Sequence, residues 1–521
     1  MLFNSLHFML FLPVVFLLHW LIPVHWRKHV LLAASYYFYM SWNPWFGLLL
    51  AGTTLIDWYA ALKIQNSKNI QNSIFNIKRT TNNEQQTITN TQLPTPNHQS
   101  PITNYPHSKN WLLLSILTNL GCLAAFKYFA FLYNTFSFAG SYFSDQSPHY
   151  FEAILVPVGL SFYVFHSMGY VIDVYRGKQE AEKDPVTFAL FVSFFPQLIA
   201  GPIARFRDLG VQFHERKYLT KENILAGSRL LLWGFFKKIA IADRLADFVN
   251  PVFNHPENFN GLSLLVAGFF FVVQVYCDFS GYSDIATGVA KFFGYNLQLN
   301  WRRPLLSKSL HEFWSRNHIS MTNWFRDYLY VGLGGNRGTY KRFLLNVFLV
   351  FLISGLWHGA RWTFVIWGAM HGIVYLIEIV LQKRAGTRRE TKQQATNHKQ
   401  SALAGAAGWL YLMLFHTISL IAFRANSFYD LGIIYRKIFS FDFNLITTIY
   451  EMRKLNDLFP LLLALCAIAF LFIKELNEEN GWVNKLPLYE KWLRPVFYTL
   501  LFVLLFTIGN FNSNEFIYFH F

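Results

Sequence analysis

Long unbroken apolar runs, not two-residue alternation, dominate this chain. A helix crossing the hydrocarbon core of a membrane needs about 17–25 mostly apolar residues. Phe8 to Pro23 forms the first such run. Val30 to Met40 and Trp45 to Lys63 follow, turning at Trp42-Asn43-Pro44. The stretch from Ile64 to Asn110 differs in kind. It is rich in Asn, Thr, Gln and Ser, with scattered Pro and no apolar periodicity, which predicts a flexible loop or disordered insert. Apolar runs resume at Trp111 to Phe136 and Phe151 to Tyr175.

Phe188 to Ala204 is short and interrupted by Pro196, Gly201 and Pro202, which predicts a re-entrant or broken element. Such backbone is tolerated at membrane depth only where protein or a water-filled cavity surrounds it. Leu225 to Phe248 and Leu262 to Phe279 read as helices, and the charged, amphipathic Gly294 to Arg342 as an interfacial segment. Phe343 to Ile377 would extend about 52 Å as one helix, too long for one crossing. It is expected to be two helices, or one broken near Gly355 and Gly359, with His358 at the break. Leu403 to Phe423, Leu458 to Ile473 and Pro495 to Ile508 complete the set. The pattern therefore predicts an all-α, polytopic transmembrane bundle of about ten or eleven membrane-embedded helices with re-entrant and interfacial elements. No internal repeat stands out.

Charge orients these spans. Met1 to Trp26 carries no Lys, Arg, Asp or Glu, and Arg27-Lys28 follows the apolar run. That reads as a retained first helix with its N-terminus outside, not a cleaved signal. Lys68, Lys78, Arg79 and Lys109 place the polar insert in the cytoplasm. Ser137 to Tyr150, with Asp145 and no Lys or Arg, then falls outside, and Arg176 and Lys178 fall inside. Gln382 to Gln400 has six Lys or Arg against one Glu, so it is expected in the cytoplasm.

Composition agrees. Of 521 residues, 53% are hydrophobic and only 14% charged, against about 25% in soluble domains. The net charge of +16 fits cytoplasmic loops facing anionic lipid. Neither zinc-finger spacing nor a basic helix supports a nucleic-acid partner. Cys122, Cys277 and Cys466 lie far apart in apolar stretches, with no CxxC pair to build a disulfide or zinc site.

Four segments carry candidate chemistry. Phe194-Phe195-Pro196-Gln197 through Gly201-Pro202 is either an interfacial turn or a re-entrant wall. Asp278-Phe279-Ser280-Gly281-Tyr282-Ser283-Asp284 places acids and serines among aromatics, as a functional site or as a network tying helices together. It is not a nucleophile elbow. Arg302-Arg303 precedes His311-Glu312-Phe313-Trp314-Ser315-Arg316-Asn317-His318. Ser315 breaks the zinc-protease pattern, and two histidines seven apart, able to share a helix face, make a poor metal site. No metal is expected. Finally, Gly355-Leu356-Trp357-His358-Gly359 sets an imidazole between glycines that permit close approach. Burial would keep it neutral, ready either to accept a proton or to bond a nearby carbonyl.

Together these segments, with Ile319-Ser320 and Trp324-Phe325-Arg326-Asp327-Tyr328, resemble the membrane-bound O-acyltransferase family. The bacterial branch holding the alginate O-acetyltransferase membrane subunit, related to the D-alanyl transfer protein of teichoic acid synthesis, is most similar. The resemblance covers roughly Met1 to Ser440. It implies a catalytic core over 111–440 built around a central tunnel; N-terminal spans cover 1–63, and the polar insert over 64–110 and the C-terminal spans over 441–521 lie outside the resemblance. It places catalysis on His358 and His318, with Asn317, Arg316, Trp357, Asp278, Ser280, Pro196 and Gln197 as tunnel-lining candidates. His371, outside these motifs, is expected to be a packing residue.

The resemblance further implies a multi-pass protein of the cell (inner) membrane with no tightly bound cofactor. The acyl donor would be acetyl-CoA or an acyl-carrier thioester. Arg302 and Arg303 would meet donor phosphates or anionic lipid. The acceptor would be a polysaccharide, reached through an extracytoplasmic SGNH-type partner protein. D-alanyl transfer to teichoic acid, and a transporter without covalent chemistry, remain the alternatives.

Overall fold

A computed structural model describes residues 1–85, 106–141, 156–199, 201–390, 402–455, 458–483, 485 and 492–511. Within lipid every backbone amide must find an internal partner, which long apolar segments achieve as helices. Seven helices among the described residues are long and apolar enough to cross a membrane, and three shorter apolar ones, Leu6–Leu21, Pro185–Leu198 and Arg494–Ile508, accompany them. No strand occurs among the described residues. The expected helical membrane bundle is what forms.

The helix Gly261–Phe292 is the most buried of the seven. It packs against Lys221–Phe235, Asp243–Asn254 and Ala402–Arg424. Glycines set its closest approach. A Cβ on Gly234 would lie 2.6 Å from the carbonyl oxygen of Gly281, and one on Gly227 2.7 Å from that of Gly288. Both pairs are seven residues apart, so two helical turns of each backbone come together without side chains between them. Gly281 therefore belongs to its motif for packing.

Three sequence expectations change. The helix starting at Pro44 continues to Gln85, through the first half of the polar insert. Asn, Gln and Lys extend a helix already nucleated by an apolar span, whether or not they repeat with its period. The rest of the expected loop, 86–105, lies outside the described residues, as do 142–155 and 391–401. The Leu262–Phe279 helix does not stop at the acidic motif but runs through it to Phe292, because lysines on the neighbouring segment neutralise its polar groups. His311 and His318 do not share a helix face either. The helix Leu310–Arg316 ends before Asn317, and His318 caps the next helix, Ile319–Trp324, with φ at 44°. His311 lies apart, its ring bonded to the Tyr375 hydroxyl at 2.8 Å.

Other expectations hold. Phe343 to Ile377 is two helices, Tyr340–His358 and Trp362–Glu390, broken at Gly359–Arg361. Phe188 to Ala204 is broken: the helix Pro185–Ser193 ends, a short turn Phe195–Leu198 follows, and no helix includes 201–204. Three π-helical segments, Ala124–Tyr128, Phe236–Ala242 and Phe325–Tyr330, interrupt longer helices. Each adds a residue to a turn and re-aims side chains, a device common at functional sites. Lys127, Lys237 and Lys238 sit on the first two.

A cavity lined by four imidazoles

His358 is the last residue of its helix because the chain cannot continue there. Gly359 caps the helix in extended conformation, and a Cβ on it would strike the Phe364 ring at 2.1 Å. The terminal carbonyls of a helix lack internal partners. Here the Lys127 ammonium supplies them, donating to the carbonyls of Trp357 at 2.7 Å and His358 at 3.1 Å. A cation at this end also suits the helix dipole. The His358 ring packs against Trp357 (4.9 Å between centroids), Trp367 (5.1 Å) and Phe423 (5.6 Å).

His318 is held by a different device. Its backbone lies in the left-handed region, rare for a residue with a side chain. Asn300 compensates: its backbone carbonyl accepts from Ile319 N at 2.9 Å, and its side-chain oxygen accepts from Ser320 N at 3.0 Å. The strained turn aims the imidazole into an aromatic cage. Phe162 lies parallel to it, Phe279 meets it edge-on at 4.7 Å, and Trp301 and Trp357 close the sides. Burial pushes its pKa down to about 3, so the ring is neutral at physiological pH. Neither ring nitrogen has a partner on another residue. Strain held at such a position is characteristic of functional sites.

Both histidines border one small cavity of about 60 Å³. Asn317 lines it as well. So do His371 and His416, which corrects the expectation that His371 merely packs. The remaining tunnel candidates do not line it. Trp357 stands between the His358 and His318 rings. Asp278 pairs with Lys238, and Ser280 accepts from Lys237. Gln197 bonds the His166 ring at 2.6 Å, with Pro196 buried beside it. Arg316 pairs with Glu312 and Glu479, and Arg303 also meets Glu479, so neither presents a free charge to phosphates.

Sequence reasoning passed over His416 and Lys127. His416 and Lys127 were detectable as single ionisable residues inside apolar spans. Tyr276 lines the cavity, and its hydroxyl donates to the Glu475 carboxylate.

A second, wider pocket of about 670 Å³ opens on the far side of the helix break. Lys127, Asn134, Arg361 and Asn426 line it, and among the described residues no carboxylate does. Lys127 thus faces this pocket while its ammonium pins the backbone at His358. We expect Lys127→Met to lower kcat roughly 10-fold or more, because the two helix-end carbonyls lose their donor and His358 its fixed aim. The check is initial-rate kinetics beside a thermal-unfolding profile. Wild-type kcat would show that Lys127 does not position His358.

The family model for MBOAT, the membrane-bound O-acyltransferase family, matches residues 172–424. Among similar proteins, the probable alginate O-acetylase AlgI of Azotobacter vinelandii is 36% identical over 442 residues, covering 85% of this chain and 78% of that protein. The peptidoglycan O-acetyltransferase of Helicobacter pylori is 30% identical over 461 residues, covering 82% and 77%. The teichoic acid D-alanyltransferase of Bacillus subtilis is 26% identical over 249 residues, covering 45% of this chain and 62% of its own length.

Proposed function

Because this chain belongs to the membrane-bound O-acyltransferase family and is an acyltransferase, we propose that it is an O-acetyltransferase of the cell (inner) membrane. It carries an acetyl group from a cytoplasmic thioester, acetyl-CoA or an acyl-carrier thioester, towards an extracytoplasmic polysaccharide of the alginate or peptidoglycan kind. The observation that carries this reading is one small cavity bordered by both His358 and His318 at a broken membrane helix.

The size of that cavity bears on the acyl group. A water takes about 10–15 Å³ of such space, so about 60 Å³ holds roughly four to six water-sized groups. A two-carbon acyl group on its thioester fits.

His358 acts as general base. It takes the proton of the acceptor hydroxyl as that oxygen attacks the thioester carbonyl. The carbon–sulfur bond then breaks, and the imidazolium returns the proton to the departing thiolate. Base catalysis of this kind supplies roughly 10²–10⁴-fold in rate. The developing oxyanion needs N–H donors. The Trp314 and Trp367 indole N–H groups, buried without partners on the cavity wall, are placed to donate, and neutral His318 and Asn317 orient the reactants. Apolar walls exclude water and so protect the thioester from hydrolysis.

The wider, cation-lined pocket beside Lys127 and Arg361 suits the acceptor side. An SGNH-type partner protein would meet the acceptor there. Mass spectrometry of surface polysaccharides from a strain lacking this gene tests the reading. O-acetyl esters should disappear and return with the wild-type gene. Unchanged esters would refute it, and loss of D-alanyl esters instead would replace it with aminoacyl transfer.

A further inference from the structure

His371 and His416 have no part in that mechanism, yet they line the same cavity as His358, with ring centroids 5.5 Å apart. Hydrogen bonding fixes the His416 tautomer. His416 Nδ1 lies 2.8 Å from the Leu412 carbonyl, which only accepts, so Nδ1 carries the proton. In the neutral ring Nε2 is then a bare lone pair, and it is buried without a partner. The Ser419 hydroxyl lies 3.2 Å from His371 Nε2 and 3.3 Å from the His416 carbonyl and donates to one of them. His371 Nδ1 is buried without a partner and is a second bare acceptor in the tautomer that carries the proton on Nε2. A buried acceptor left without a donor is costly unless a ligand brings an N–H or O–H group.

Their depth indicates which ligand. His358 packs at the level of Trp367 and Phe423. His371 lies one turn beyond Trp367, about 6 Å along its helix, and His416 two turns before Phe423, about 10 Å. Both displacements lead away from the Gly359–Arg361 break, towards the helix end bearing Lys383 and Arg384. That basic end is cytoplasmic by the positive-inside rule. A thioester arriving from the cytoplasm therefore passes the histidine pair before its carbonyl reaches His358.

We propose that His416 and His371 form a donor-arm subsite that accepts the amide N–H of a pantetheine-type thioester. This rests on the thioester chemistry proposed above. In such a donor the first amide is two methylenes from the sulfur, so an acyl carbonyl at His358 leaves an N–H within reach of the next layer. His416 and His371 are positioning residues: no bond to the acyl carbon passes through them. Coenzyme A and carrier proteins share this arm, so the subsite reads chemistry common to both.

The experiment uses the full chain in lipid vesicles with two minimal donors. One is S-acetyl-N-acetylcysteamine. The other is the ester that differs only in an oxygen replacing the amide N–H. The wild type should prefer the amide roughly 10-fold in kcat/KM, seen mainly in KM, because the ester leaves the acceptors unpaired. His416→Phe keeps the ring shape beside Phe313 and should bring the amide-to-ester ratio to about one. His416→Gln, which retains an acceptor oxygen, should restore part of the preference. Equal use of both donors by the wild type, or an unchanged ratio in His416→Phe, would overturn the subsite while leaving the acetyltransferase reading intact. Failure of the wild type to consume either donor, or acetyl-CoA or an acetylated carrier protein run in parallel, would instead overturn that reading and the subsite with it. Where those larger donors are used, the faster one identifies the source of the arm.

Discussion

His358→Ala should abolish acetyl transfer while the protein inserts, extracts and unfolds as the wild type does. The loss is the whole base contribution, roughly 10²–10⁴-fold, and the residual rate should be lost in background thioester hydrolysis. Folding should survive because the substitution leaves the local architecture in place. The helix already ends at Gly359, and Lys127 binds backbone carbonyls, not the imidazole. The ring does fill space against Trp367 and Phe423, so a modest drop in thermal stability is expected. His358→Gln keeps most of that volume without a usable base and should be equally inactive. Transfer rates paired with unfolding profiles for both variants separate chemistry from packing. Appreciable transfer in either would rule out His358 as the base.

Lys238→Met should have the opposite signature, loss of folded protein. Lys238 bridges Asp243 at 2.7 Å and Asp278 at 2.8 Å, and all three side chains are at most 3% exposed. Removing the cation from a buried cluster strands its partners and typically destabilises by about 3–5 kcal/mol. Here two carboxylates are left facing each other, on the central helix and on the segment packed against it. Size-exclusion profiles after detergent extraction should show aggregated or absent protein. Adding Asp243→Asn and Asp278→Asn to Lys238→Met removes the stranded charges and should recover much of the folded peak. A normal single-variant profile would show that the cluster is not structural.

These two residues also show where sequence was a good guide. The run from Phe343 to Ile377 was too long for one crossing, and Gly355 and Gly359 lie near its middle beside Arg361, so the break that places His358 could be read directly. The family resemblance rested on ordered motifs, and those around Phe279, His318 and His358 supply residues to the cavity. Asp278 was misplaced for a physical reason. Its polarity reads as the end of a span unless one knows that Lys238, forty residues earlier in a separate apolar run, neutralises it. Such compensation is long-range and leaves no local pattern. Similarly, neither spacing nor composition reveals that His371 and His416, on different helices, meet His358 and His318 at one cavity; only the packing of the spans does. The helix to Gln85 was missed because apolar periodicity records burial, and this part of the helix lacks it.

The central claim is that an acetyl group is covalently transferred at His358, from a donor on one side of the membrane to an acceptor on the other. Vesicles containing oriented protein, with radiolabelled acetyl thioester on the cytoplasmic face and polysaccharide acceptor on the opposite face, test it most directly. The account predicts label in ester linkage on the acceptor, free thiol retained on the donor side, and neither product with His358→Ala. Intact thioester crossing the membrane, or ester formation that persists in His358→Ala, would contradict it.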